Sequence, residues 1–554
     1  IFFFYNVLYI LTIMLNTQDR LNFANSLESK GDHLEAPMLE KNIDYIIDNN
    51  GSNDYGRNQV QFDSTAISAN HKWANYKEGF VSFPTMTVVT REDDISEAEG
   101  IKLISFKSGN HTCIDSFSVK FGNAPVIQDQ AGIPAYLSFL QHSTWSLNDA
   151  KLNSHTGYRK NESAEWEYSE LVGPVSHDPN VQPRFVNVTN NSSLATKEAI
   201  KNSGVNYYEK VGAYTHVFHY DCIVRLKDIS SFFANMDLIK GAVIQLTFRL
   251  NQGTMEISNN KDLLTTTTNL KGLSNFVLRN PDAIPIVDGE TEKISFTIGR
   301  NTVDNVSYDP PKSQCRLYMP NYTLHPDREL EYLSLGSKKI TYRDVDIKVV
   351  KVPVGSNINH LLTTAQARTS RVIVVPMLDA HKGAVAEKLA VVEVDPDYTV
   401  KPVVPWVPPM PARAAVASHQ YVSAQTSPFT SEPSTCSPHY FSNINLSING
   451  QKLYRSTQEL KYDNYLNEMN GNYGINNNLE TGVSASLISY DDYNREYGYW
   501  VFDMSRRYAY DDSTPLNIQV TASNHCAFDM ELMVYIEYEK DLLYDISTGL
   551  RIED

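Results

Sequence analysis

The sequence is short of the residues that cross-linking and catalysis arrange in recognisable patterns. Five cysteines, Cys113, Cys222, Cys315, Cys436 and Cys526, are scattered over 554 residues. None stands in a C-x-x-C pair or a Cys/His cluster, and their number is odd. A disulfide framework is therefore not indicated, and free buried thiols in a reducing compartment are expected. There is no H-E-x-x-H, no G-x-S-x-G, no Walker loop and no G-x-G-x-x-G, so the familiar local signatures of hydrolytic, nucleotide-binding and dinucleotide chemistry are missing. Positive charge is in deficit: 48 Lys and Arg against 65 Asp and Glu leave −17. A chain of that sign repels phosphates as a whole and is a poor coat for naked nucleic acid, while acidity also keeps a surface soluble.

Long apolar runs are equally scarce. The exception is IFFFYNVLYILTIML at residues 1–15. It is shorter than the ~20 residues a spanning helix needs. It also lacks a positive segment before it and a small-residue cleavage site after it. The first methionine is Met14, and residues 1–13 are read as upstream sequence translated from a misplaced start; a membrane-touching arm is the other reading.

The acidic run Glu92–Glu99 has no glycine-containing calcium-loop spacing and reads as a solvated loop. A glycosidase needs two carboxylates facing each other across a cleft. The acid pairs Asp93–Asp94, Asp491–Asp492 and Asp511–Asp512 are adjacent in Tyr- and Asn-rich loops and read as solvated. His216 and His219 are three apart in a strand-like run, so they face opposite sides of a sheet, which argues against a shared metal. The sequons at Asn110, Asn187 and Asn445 are of a frequency that an Asn- and Ser-rich chain reaches by chance. No catalytic, cofactor-binding or metal-binding residue is assigned, and no cofactor is expected.

What the chain has in quantity is period-two alternation. It appears at Gln59–Asp63, Phe80–Thr90, Cys113–Phe121, His216–Leu226, Lys293–Ile298, Ile340–Val354, Phe441–Ile448, Leu516–Thr521 and Phe528–Glu539; Arg371–Met377 is a continuous apolar run typical of a buried strand. Ile101–Phe106 and Cys113–Phe121 read as a pair joined by turn chemistry at Lys107–Asn110. Asn449–Gly450 is a hairpin turn. Helical signals are few and short. Pro134–Leu140 is one. Ser456–Glu459 reads as a capping box ahead of Tyr462, Tyr465, Leu466 and Met469. The stretch Asp228–Leu250 changes period in mid-course: Ile229, Phe232, Phe233 and Met236 share a helical face behind a capping Asp228, Gly241 breaks the pattern, and Ala242–Leu250 alternates as a strand.

Strands without intervening long helices exclude a parallel α/β sheet and point to antiparallel sandwiches. The expected fold class is all-β: two jelly-roll β-sandwiches, a double jelly roll, with short helices and long loops. The expected divisions are an N-terminal arm over residues 1–56, a first jelly roll over 57–270, and a second over 271–554 that carries a Pro-rich loop at 378–438. Thirty-three tyrosines favour binding or assembly surfaces.

Four stretches carry a resemblance. They are Gln59–Phe62 with Trp73–Pro84; Arg225–Asn251, with its Phe-Phe helix, Lys-Gly and long strand; Ser427–Thr435 through Asn443–Gly450 to Tyr462–Gly471; and Asp503–Arg507 with Ile536–Glu539 and Ser547–Arg551. Their order and spacing resemble the double jelly-roll major capsid proteins of virophages, polinton-like viruses and the adenovirus–tectivirus lineage. That resemblance implies a trimeric, pseudo-hexagonal capsomer in the icosahedral shell of a double-stranded DNA virus, assembled inside the host cell. Its implied partners are further copies of the chain, neighbouring capsomers, and penton and minor capsid proteins. No specific nucleic-acid binding is implied, and membrane contact is left open. A carbohydrate-binding or glycoside-cleaving secreted β-sandwich is the alternative; a penton or minor capsid protein fits the doubled length less well. With Phe232 and Phe233 plugging the end of the first sandwich, Phe233→Asp buries an unpaired charge. It is expected to abolish folding and trimer assembly, as read by circular dichroism and light scattering; a soluble, trimeric variant would overturn the placing.

Overall fold

The computed structural model describes residues 38–49, 54–55, 59–65, 72–91, 104–106, 109–122, 125–146, 149, 152–153, 156, 207–211, 215–260, 267–272, 276–278, 291–310, 312, 314–363, 368–378, 441–454, 461–470, 487–495, 497–504, 516–525 and 530–552. Strands dominate because alternation puts an apolar row on one face of each chain segment, and two such faces bury each other.

In chain order, β1 (Met38–Ile47), β2 (Gln59–Asp63), β3 (Phe80–Arg91), β4 (Ile114–Phe121) and β5 (Val126–Gln130) precede helix α1 (Ile133–Thr144). Next come β6 (Tyr207–Val211), β7 (Thr215–Arg225), and the short helices α2 (Leu226–Ile229) and α3 (Ser231–Asn235). They are followed by β8 (Ile244–Leu250), β9 (Gly253–Asn260), β10 (Thr267–Gly272), β11 (Thr291–Ile298) and β12 (Arg316–Leu324). One sheet has the order β2-β8-β4-β5. The facing sheet has nine strands and runs β1-β12-β3-β11-β9-β10; β7 pairs with β3, β6 with β7, and Trp73–Ala74 with β12. Within β8, Ile244, Leu246, Phe248 and Leu250 are buried while Gln245, Thr247 and Arg249 are not, as their alternation requires. Phe248 centres this core. Its ring lies 6.2 Å from Phe62 and 6.5 Å from Phe117 in its own sheet, and 5.7 Å from Phe83 across the sandwich.

The helix expected over Asp228–Met236 is broken in two. Ser230 takes an extended conformation between α2 and α3, and its Oγ accepts the Phe232 amide at 3.1 Å. The serine, not Asp228, is thus the cap. Asp228 lies inside α2 and pairs with Arg225 Nε at 2.6 Å. Ile229, Phe232, Phe233 and Met236 are all buried nevertheless.

Helix α4 (Pro326–Leu333) leads to the second sandwich: β13 (Ser337–Val352), β14 (Asn357–Thr363), β15 (Thr369–Leu378), β16 (Phe441–Ile448), β17 (Gln451–Lys452), α5 (Tyr462–Asn470), α6 (Tyr490–Arg495), β18 (Trp500–Asp503), β19 (Asn517–Asn524) and β20 (Met530–Asp545). Its two four-stranded sheets have the orders β13-β20-β15-β18 and β14-β19-β16-β17. Eight antiparallel strands that pass back and forth between two sheets in this order make a jelly roll. The hairpin between β16 and β17 turns at Asn449 and Gly450, with φ of 49° and 83°, which is what a two-residue turn of matching twist demands.

Three expectations need correction. Met38–Ile47 is a strand of the first sandwich rather than part of a separate arm, because every residue of it but the bulged Leu39 finds a partner on β12. The boundary at 270/271 cuts through β10, and β11 and β12 beyond it pair with β3. We place the division at α4 instead. There Lys240 Nζ meets Glu329 Oε1 at 2.5 Å, and Trp73 packs 5.0 Å from Tyr332. Finally, Ile104–Phe106 pairs with Phe276–Leu278 and makes no hairpin with β4; a 3-10 turn at Asn110–Cys113 leads into β4 instead. The capping box at 456–459, nearly all of the Pro-rich loop, and most of 145–210 lie outside the described residues.

Phe248 is 1% exposed and touches both sheets. Phe248→Ala is expected to cost about 3–5 kcal/mol, measured as a lower denaturation midpoint at unchanged slope.

Candidate functional site at the seam between the sandwiches

The sites weighed from sequence do not gather. Asp93–Asp94 and Asp511–Asp512 lie outside the described residues, and Asp491–Asp492 sits on α6. His219 is buried and its Nδ1 is 2.8 Å from the Thr85 carbonyl. Burial lowers its pKa, partly countered by that hydrogen bond and by Asp221. Among the described residues no group of three His, Cys, Asp or Glu could hold a metal, and no helix is long and apolar enough to cross a membrane. Cys113, Cys222 and Cys315 are buried free thiols. Two sequons are structural: Asn110 donates to the Ile223 carbonyl and Asn445 to that of Tyr454, and both are buried.

What the fold does concentrate is buried polar and aromatic contact where the two sandwiches meet. One half of this seam is built on α3. Ser231 Oγ donates to the Arg343 carbonyl at 3.2 Å and accepts the Arg343 amide at 2.7 Å, while Asn235 Nδ2 donates to the Thr341 carbonyl at 2.9 Å. Between these clamps Phe232 meets Tyr342 of β13 edge-to-face at 5.2 Å, and Tyr342 donates its hydroxyl to the Ile127 carbonyl at 3.0 Å. Phe233 stacks inward on Tyr76 at 6.3 Å. The Phe-Phe pair therefore closes one sandwich with one ring and grips the next with the other.

The other half is built on α1. Arg371 of β15 and Glu537 of β20 are 2% and 0% exposed and pair in a bidentate fork, Nε to Oε2 at 2.8 Å and Nη2 to Oε1 at 2.7 Å. Tyr136 of α1, from the first sandwich, donates its hydroxyl to Glu537 Oε1 at 2.7 Å. Tyr535 donates to the Gly132 carbonyl at 3.2 Å, Phe139 lies edge-on to Tyr499 at 4.9 Å, and the Arg371 guanidinium lies 5.7 Å from the Phe139 ring centre. Gly132 adopts φ +62°, a left-handed conformation that favours glycine, and a Cβ there would also displace the end of the Ile347 side chain, 2.6 Å away on β13. Burial pushes the Glu537 carboxyl up, but the charge and hydrogen bonds of Arg371, helped by Arg343 and Tyr136, outweigh it and hold the group below its ordinary 4.5.

A third contact comes from the C-terminal turn. Asp545 caps Ser547 and Thr548, and a Cβ on Gly549 would lie 2.5 Å from the Ala242 backbone just ahead of β8. Sequence reasoning missed this seam. Alternation put Tyr535 and Glu537 on the row of β20 opposite its core, yet both face the partner sandwich. The available signal was that Arg371–Met377 is apolar on both faces.

Such a joint packs the two sandwiches against each other through buried polar and aromatic contacts. The class so defined is a double jelly-roll protein. No protein-family model and no curated protein sequence matches the chain. Among solved structures it is similar to a chain of the Sputnik virophage seen by cryo-electron microscopy, at 11% identity and TM-score 0.50, covering 95% of this chain and 91% of that one. It is also similar to the mavirus major capsid protein (10%, TM-score 0.49, 96% and 93% covered) and the Faustovirus major capsid protein (9%, TM-score 0.45, 93% and 92%). At these identities the likeness is one of fold, and the first of them carries it.

Removing one partner of the fork leaves a buried charge unpaired. Arg371→Met or Glu537→Leu alone is expected to destabilise by about 3–5 kcal/mol, and the double replacement by clearly less. Because the folded carboxyl titrates below its unfolded value, the stability it contributes is complete above pH ~4.5 and is lost as pH falls through the folded pKa. Acid unfolding of the wild type followed by fluorescence should show that loss, and the double variant should lack it.

Proposed function

We propose that this chain is the major capsid protein of a double-stranded DNA virus, three copies forming a pseudo-hexagonal capsomer of an icosahedral shell. The observation that carries the reading is a pair of jelly rolls welded by a buried seam, over a chain whose length is matched almost throughout by the virophage fold. A shell unit has to transmit load between neighbours without bending at its own middle, and a seam of desolvated hydrogen bonds and interlocked rings resists such bending. Closed-symmetry contacts between identical copies need large surfaces rather than a reaction pocket. The partners on this reading are other copies of the chain, with penton and minor capsid proteins at the shell's vertices and gaps, and its place is the virion capsid. Its role is structural rather than catalytic.

Purified protein is expected to run in light scattering as a trimer of three 62.6 kDa chains, about 188 kDa, and to show hexagonal outlines by negative-stain electron microscopy. A monomer with affinity for an oligosaccharide would overturn the reading.

A further inference from the structure

Strand β1 is inverted. On an ordinary surface strand the apolar row faces the body and the polar row faces water. Here Leu39, Ile43, Tyr45 and Ile47 point outward, 60%, 59%, 53% and 40% exposed. The alternate row holds Asn42 and Asp44, both half-buried, and Asp44 accepts from the buried Asn321 at 2.8 Å; Ile46 is the one apolar side chain of that row in the core, and Lys41, paired with Glu78, is the one charged member of the outward row between Leu39 and Ile47. Five of the sixteen large apolar side chains that stand exposed among the described residues lie on this one strand, Met38 being the fifth, so they form a patch and not scatter. The patch continues across the sheet. Tyr45 lies beside Tyr318 of β12 at 5.9 Å, Tyr318 stacks on Phe80 of β3 at 4.9 Å, and the Arg316 guanidinium sits 5.0 Å over the Tyr45 ring. Tyrosine and arginine held in place by their neighbours are the residue types that anchor protein interfaces. β1 also ends the strand order of its sheet, and among the described residues no strand pairs with its outer edge.

We infer that the outer face of β1, with Tyr318 and Arg316, is the surface by which one copy of this chain seats against the flank of the next. The inference rests on the capsomer reading and names a contact within it. Two strands about 4.8 Å apart and ten residues rising about 3.3 Å each give a face of roughly 300 Å², which Phe80 extends at one end. That is over a third of the roughly 800 Å² each partner brings to a standard interface. A net charge of −17 disfavours anionic lipid or nucleic acid as the cover. A three-fold ring needs heterologous contacts, so the β1 face meets a different surface of the neighbouring copy rather than its own equivalent.

The test uses the full chain carrying Ile43→Glu and Tyr45→Glu together. Both side chains are more than half exposed, so the monomer should keep its fold, checked by its melting temperature. Assembly followed by light scattering over a dilution series should weaken at least about 100-fold, the scale of losing interface anchors. Hydrogen exchange of the unmodified protein supplies a reading free of mutation: β1 amides should gain protection as concentration rises into the trimer range. A trimer that forms equally well with both glutamates overturns the surface and leaves the capsomer reading standing. A wild type that stays monomeric overturns both. Protection of β1 that is independent of concentration means that the chain's own residues cover the strand, and that too overturns the inference.

Discussion

A guanidinium and a carboxylate taken out of water each carry a desolvation cost of several kcal/mol, which only close pairing and complete hydrogen bonding offset. Arg371 and Glu537 go most of the way to that condition with a two-pronged fork inside the second sandwich, and with one further donor, Tyr136, that the second sandwich does not possess; of the guanidinium nitrogens, Nη1 is buried without a hydrogen-bond partner. The hydroxyl arrives on α1 from the first sandwich. The electrostatics of one domain is thus completed by the other, and sliding the sandwiches apart would strip a hydrogen bond from a buried carboxylate. The rest of the seam follows from this: α1 comes close, residue 132 is a left-handed glycine, and Tyr535 has the Gly132 carbonyl to donate to.

The same logic explains the doubled plan. In the first sandwich β8 lies between β2 and β4; in the second, β20 lies between β13 and β15. β20 is the last strand of its roll and lies between its first and third strands, whereas β8 is followed in the chain by β9–β12 of the same sandwich. They differ in how they are covered. β8 buries one row and leaves Arg249 outside, whereas β20 buries Met530, Leu532, Val534 and Ile536 in its own core and Tyr535 and Glu537 in the seam. The helix at Tyr462–Asn470 shares its apolar spacing with the α2–α3 stretch but not its place: it packs Tyr465 on Tyr493 at 4.9 Å and precedes β18 rather than β20. Equal spacing reported an equal need to bury one face, not an equal position.

A two-sandwich body with an inverted edge strand has two kinds of surface. The seam is polar and aromatic, desolvated within one chain, and costly to open. The β1 face is apolar, exposed in one chain, and satisfied only when something covers it. Internal contacts hold the two sandwiches together, and the outer face is what covering by another surface would bury.

By itself the sequence determined the strands, because alternation of apolar and polar side chains has a period that only one backbone form satisfies. β8, β16 and β20 all lie where alternation put them, and Asn449–Gly450 turns as its chemistry dictates. It also determined that Phe232 and Phe233 are buried, since two adjacent aromatic rings beside a capping residue have no stable place in water. What it could not determine is which face of a strand meets which neighbour. By residue type Glu537 belongs in solvent and Ile43 out of it, yet the first is 0% exposed and the second 59%. Alternation separates two faces without saying what lies beyond either. That depends on partners hundreds of residues away, Tyr136 for Glu537 and β12 for β1, and only the tertiary structure brings them together.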